Sequence, residues 1–72
     1  MFLLQLTSST GDPVTVNFER VTHFRATVLD GHEHTSIQLV DGSVVDVRQS
    51  HKEIWQLLME AGYTRQVHAP GR

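Results

Sequence analysis

Seventy-two residues with six Lys and Arg, eight Asp and Glu and no cysteine exclude a disulfide scaffold and a cysteine-based metal finger. The net charge of −2 argues against bulk electrostatic capture of nucleic acid, which draws its affinity from neutralised phosphates. A chain of this length makes one domain and buries only roughly 60% of the surface it exposes when unfolded, so self-association that completes the core is expected.

The opening MFLLQL is apolar over too short a run and lacks a basic leader, so no signal peptide is expected. No run approaches the ~20 apolar residues of a membrane span. With the absence of cysteine, these features lead to the expectation of a soluble, cytoplasmic protein. Charge is uneven along the chain. Residues 1–47 hold two arginines against six carboxylates, and residues 48–72 hold four cations against two carboxylates.

In chain order, Phe2, Leu4 and Leu6 alternate with Leu3, Gln5 and Thr7, the period of a half-buried strand. The turn formers Ser8 to Pro13 follow, and Val14, Val16 and Phe18 alternate in a second strand that pairs back on the first. Between Asn17 and Val21 two outcomes stand open: Asn17 caps a single helical turn, or the second strand runs on. Alternation resumes from Thr22 to Val28, with Phe24, Ala26 and Val28 on one face and His23, Arg25 and Thr27 on the other. Leu29 to His34 is polar and Gly-containing, and is expected to be a surface loop. A fourth strand from Ser36 to Val40 turns inward through Ile37 and Leu39. Asp41-Gly42 predicts a two-residue type I′ turn, because both positions of that turn need positive φ. Val45 and Val47 then face inward on a fifth strand.

Ser50-His51-Lys52-Glu53 spells a capping box that opens a helix. Ile54, Leu57, Leu58 and Ala61 fall on one stripe at 100° per residue, expected to pack on the sheet, and Gly62 is placed to end the helix. The domain is therefore expected to span residues 1–63, with residues 64–72, polar and holding Pro70 and Gly71, as a flexible tail. The fold class is α+β: a small antiparallel sheet of four to five strands in hairpins, with one C-terminal amphipathic helix packed on it.

Trp55 and Met59 lie one helical turn apart, to one side of that stripe. They are either the edge of a wide core stripe or a contact surface for a subunit or partner, since aromatic and Met side chains are enriched at interfaces. Catalytic chemistry has little to stand on. The serines occupy turns, strands and a cap, and no Gly-rich phosphate loop occurs, so neither a catalytic residue nor a cofactor site is assigned and no enzyme is expected. His32 and His34, two apart beside Asp30, have ligand chemistry for zinc, nickel or copper but lack a third and fourth ligand, so no metal site is assigned. A nucleic-acid reading rests on Arg25 and Arg48 of the outer sheet face, with Lys52 and Arg65 near them and Asp46 in their midst.

The order Leu6-Thr7, Gly11, Asn17 and Val21, Thr35-x-Ile37-x-Leu39-x-x-Gly42 and Val47-x-x-Ser50-x-x-Glu53 resembles the short FlbD/SwrD-like flagellar proteins, over roughly residues 2–60. That resemblance implies a small bacterial accessory or regulatory protein linked to motility and swarming, with no catalytic residue to carry over. The chain departs from the pattern in its His-rich segment between Val28 and Thr35, in Trp55 and in its tail, departures that suit a phage- or plasmid-encoded interaction protein as well. Phe18 to Leu58 is also similar to part of a LytTR DNA-binding domain, and Val47 to Leu57 to the end of the CsrA RNA-binding dimer. The combined expectation is a non-enzymatic regulatory or adaptor protein acting by protein–protein interaction, as a homodimer or larger homo-oligomer. Trp55 and Met59, with an open sheet edge, are its interface, and a nucleic-acid-binding regulator is the alternative.

Overall fold

The structure, a computed structural model, describes residues 2–62. Strands β1 (Leu3–Thr7) and β2 (Pro13–Asn17) form one antiparallel hairpin, and β3 (Val21–Leu29), β4 (His32–Leu39) and β5 (Val44–Val47) form a three-stranded meander in the order β3-β4-β5. Helix α1 (His51–Glu60) follows. The five expected strands are present, divided between two sheets. The backbones of the hairpin and the meander join where Ser8 bridges Val47 and the amides of Ser9 and Arg48 donate to the carbonyls of Asp46 and Thr7.

Asn17 resolves the open segment in favour of a helical turn. Its side-chain oxygen accepts the amide of Glu19 and caps a 3₁₀ turn, Phe18–Arg20, which drops Phe18 into the core. In the meander, Phe24, Ile37 and Val45 stand side by side, as do Ala26, Thr35 and Val47. This is the inner face, and Ile37, Thr35 and Val47 are fully buried on it. The helix lays Ile54 and Leu58 over them, and Leu6 and Val16 close the core from the hairpin. Thr35 is the one buried polar residue among those described. Its hydroxyl donates to the Gln49 carbonyl at 2.8 Å, while the Gln49 side chain accepts the Thr7 amide at 3.0 Å. Gln49 thus ties β1 to β4 at the entrance to the helix.

The helix begins as expected. The Ser50 hydroxyl accepts the Glu53 amide at 3.1 Å and the Glu53 carboxylate accepts the Ser50 amide at 2.9 Å, an arrangement worth about 1 kcal/mol. It ends as expected too, with the Gly62 amide donating to the Met59 carbonyl. Three expectations need correction. The segment from Leu29 to His34 is not a loop: β3 runs on to Leu29 and β4 starts at His32, joined by a two-residue turn in which Asp30 and Gly31 have φ of 53° and 78°. Those are the two positive φ values of a hairpin turn, so polarity there marks a strand pair standing clear of the core.

Asp41-Gly42, conversely, is not such a turn. Only Gly42 has positive φ, and the Gly42 amide donates to Leu39 while the Leu39 amide donates to Ser43. This closes a three-residue loop that ends in a left-handed glycine, the longer hairpin alternative. Asp41 stays out of the left-handed region because its carboxylate accepts both the amide and the hydroxyl of Ser43, at 2.9 and 2.7 Å. The third correction concerns the helix stripe. Leu57 is 37% exposed and Ala61 is exposed, while His51 and Trp55 are half-buried, so the buried arc is turned toward His51. The cause is Phe24 of β3, whose ring lies 5.0 Å from the His51 ring and edge-on to Phe18 at 6.0 Å. No helix among the described residues is long and apolar enough to cross a membrane.

Candidate functional site

Three surfaces carry what the core does not use. The first is a flank of α1. His51, Lys52, Trp55, Gln56 and Met59 line an open groove of about 350 Å³. Trp55 is half-buried at its floor, and Met59 is 48% exposed. The helix reaches the sheet at β3, and β3 pairs with β4 alone, so its other edge carries no strand among the described residues. An uncovered edge presents a row of free amides and carbonyls and is a ready pairing site. Beyond Phe24 the inner side of this edge strand emerges from under the helix, and Val28 is 72% exposed. Trp55 and Met59 thus lie on the helix that packs beside an open strand.

The second surface is the outer face of the meander. Register places Arg25, Ser36 and Asp46 in one row across it, and His23 beside Gln38 and Val44 in the row before. Arg25 and Arg48 therefore belong to this face, whereas Lys52 belongs to the helix on the other side of the sheet. The structure does not bring these three cations together, and Arg65 lies outside the described residues, as do residues 64–72 of the expected tail. Thr22 and His23 touch on this face, Oγ1 to Nδ1 at 3.3 Å. The Thr22 hydroxyl donates its proton to the Gln38 carbonyl, so toward His23 it accepts, the opposite of a nucleophile beside its base.

The third surface lies at the far end of the same face. Ser9, Leu29, Asp30, His32, Glu33, His34 and Arg48 line a concavity of about 470 Å³. His32 and His34 are on the outer side of β4, and His34 Nδ1 donates to the His32 carbonyl at 3.1 Å. Among the described residues no group of three or more His, Cys, Asp or Glu side chains gathers as metal ligands would. Arg48 was expected on the outer face, but its seat was not legible in the sequence. The guanidinium lies flat over Gly11, where a Cβ would come within 3.4 Å of Nη2 and 3.7 Å of Cζ. Only the fold brings these two residues, 37 positions apart, into contact.

Every buried side-chain nitrogen and oxygen among the described residues has a hydrogen-bond partner. The Asp41 carboxyl is held below the usual carboxylate range, first by the Ser43 hydroxyl and then by the Ser43 amide. That shift belongs to a turn. The class defined by these features is a small α+β domain with a well-satisfied core and its uncommitted side chains on the surface. No family model, curated protein or solved structure matches the chain.

Proposed function

We propose that this protein is a non-enzymatic adaptor or regulator that works by protein–protein contact, beginning with a second copy of itself. The supporting observation is how its apolar residues divide. Among the described residues seven hydrophobic ones are buried, and as many large ones, Leu3, Val28, Leu29, Val40, Val44, Leu57 and Met59, are at least 37% exposed. A monomer that leaves this much apolar surface in water forgoes about 25 cal/mol for each Å² a partner could cover. The contact surface is the Trp55–Met59 flank with the open edge of β3. Val28 and Met59 are its exposed members, and Trp55 is its half-buried anchor.

Sedimentation of the wild-type chain and of Val28→Glu with Met59→Glu tests this. Both substituted positions are exposed, so the monomer fold should persist by circular dichroism while the associated species disappears. An unaltered sedimentation mass would remove Met59 and Val28 from the interface. A chain that is monomeric at every concentration would remove self-association. The resemblance to the FlbD/SwrD-like proteins supplies the context of a flagellar accessory, which the gene neighbourhood would separate from a phage or plasmid setting. The nucleic-acid alternative rests on Arg25 and Arg48, with Asp46 beside them on the same face. Unchanged salt-sensitive retention of RNA or DNA in Arg25→Glu with Arg48→Glu would end it.

A further inference from the structure

We propose that the concavity between the β1–β2 loop and the tip of the β3–β4 hairpin is a phosphate-binding site, with Arg48 as its central donor. Arg48 carries five N–H donors in a planar fork that matches a phosphate face. No carboxylate among the described residues forms a hydrogen bond or ion pair with it, so none of its donors is spent on an acid there. What holds it is shape. The guanidinium plane rests on Gly11, with Nη2, Cζ and Nη1 at 3.4, 3.7 and 3.8 Å from the position a Cβ would take. Stacking of this kind fixes the plane and leaves its edge free to donate.

The wall under it is tied by backbone hydrogen bonds. The β1–β2 loop is closed by the Ser8 amide on the Asp12 carbonyl at 2.7 Å and the Gly11 amide on the Ser8 carbonyl at 2.9 Å. Thr10 donates to the Asp12 carboxylate, so that carboxylate is engaged within the loop. Ser9 adds a hydroxyl to the rim, and His32 and His34 add two imidazoles from the facing strand. Because His34 gives its Nδ1 proton to a carbonyl, its Nε2 is the atom left to meet a ligand, an acceptor in the neutral ring and a donor to phosphate only in the imidazolium.

Two carboxylates also line the concavity, and both count against an anion there. Glu33 stands opposite Val28 in the ladder and belongs to the inner side of the hairpin. Asp30, at the turn, is the acid that opposes an anion here. A cation would be drawn to Asp30 and repelled by Arg48, and an anion the reverse, so two substitutions separate the cases. Asp30→Asn suits this purpose because Asn tolerates the positive φ of 53° that the turn imposes.

The experiment titrates pyrophosphate, and separately a single-stranded oligonucleotide, into the ¹⁵N-labelled full chain. Perturbation of Ser9, Gly11, His32, His34 and the Arg48 side chain is expected. Arg48→Gln should weaken pyrophosphate binding about tenfold or more, the loss of a charge-assisted hydrogen bond. Asp30→Asn should tighten it about two- to threefold, as for one exposed charge pair. Binding of pyrophosphate alone assigns a small phosphorylated ligand, and tighter, salt-dependent binding of the oligonucleotide assigns a nucleic-acid backbone. No perturbation by either probe, or equal affinity in Arg48→Gln, overturns the proposal. So does zinc binding that Arg48→Gln strengthens and Asp30→Asn weakens. Both substituted side chains are exposed, and unchanged resonances from Ile37 and Ile54 would confirm that the fold is intact.

Discussion

The two halves of the β3–β4 hairpin share one ladder and differ in almost everything else. At the root, Ile37 and Thr35 have no exposed surface, and the Phe24 ring is held between Phe18 and His51. At the tip, Val28 opposite Glu33 and Leu29 opposite His32 are largely in water. The β3 ladder runs through both halves and β5 adds a second one at the root alone, but backbone pairing is not what chiefly sets stability here. Burial is. The root holds the domain together, and the tip leaves apolar surface in water that the fold itself does not use.

The largest expected effect breaks the root. Ile37→Ala should destabilise by about 2–5 kcal/mol through lost transfer energy and the cavity left behind. For a domain this small, that approaches the whole stability expected of it. Urea unfolding followed by circular dichroism would read it. A loss below about 1 kcal/mol would mean the core collapses freely around the gap. Val28→Ser at the tip should stay within about 0.5 kcal/mol in the dilute monomer. If both variants cost the same, the contrast between root and tip is wrong.

A middle-sized effect tests the one polar group in the root. Thr35→Val keeps the shape and removes the hydroxyl, so the Gln49 carbonyl loses its donor at the helix entrance. A cost of about 1–3 kcal/mol is expected from the unsatisfied acceptor, without a change in urea m-value. Amide exchange should quicken at Thr7, whose N–H is held by the Gln49 side chain. At the tip, Gly31→Ala should cost about 1–2 kcal/mol from its positive φ alone, since nothing lies within 4 Å of the added methyl. Fraying should be confined to residues 28–33.

The same contrast explains which parts of the fold were legible. Local chemistry was readable wherever neighbours in sequence settle the conformation. Ser50 with Glu53 capped the helix as read, and Asn17 chose the 3₁₀ turn from two open alternatives. The two Asp-Gly pairs show the limit. Asp30-Gly31 lies among polar residues and was read as loop, because a strand pair clear of the core shows no apolar alternation. Asp41-Gly42 lies between apolar strands and was read as a two-residue turn, but Ser43 draws its carboxylate into a longer loop. Leu57 was placed in the core by period alone, whereas Phe24, from a distant strand, set the rotation of the helix. Trp55 and Met59 are legible from the sequence as lying beside the core stripe, as its edge or as a contact surface, and the fold leaves Trp55 half-buried and Met59 exposed. The Arg48–Gly11 contact could not, since no pattern links an arginine to a glycine across two strands.

The smallest expected effect lies in the second Asp-Gly loop, where the carboxylate does what it does not do at the first. Asp41 titrates below the ordinary carboxylate range because the Ser43 hydroxyl and amide both donate to its ionised form. A carboxyl whose folded pKa is depressed adds stability above its unfolded value, and loses that contribution as pH falls through the folded value. Ser43→Ala removes the hydroxyl, the stronger of the two Ser43 donors, and leaves the amide. The Asp41 carboxyl should therefore titrate higher than in the wild type but still below an unfolded reference, measured by ¹³C-carboxyl NMR. An unshifted Asp41 in Ser43→Ala would assign the effect to the Ser43 and Asp41 amides and the Arg20 charge. The preference of Asp41 for the three-residue loop would then rest on backbone geometry, and replacing Ser43 with a residue lacking a hydroxyl would not convert the loop into the tighter turn seen at Asp30-Gly31.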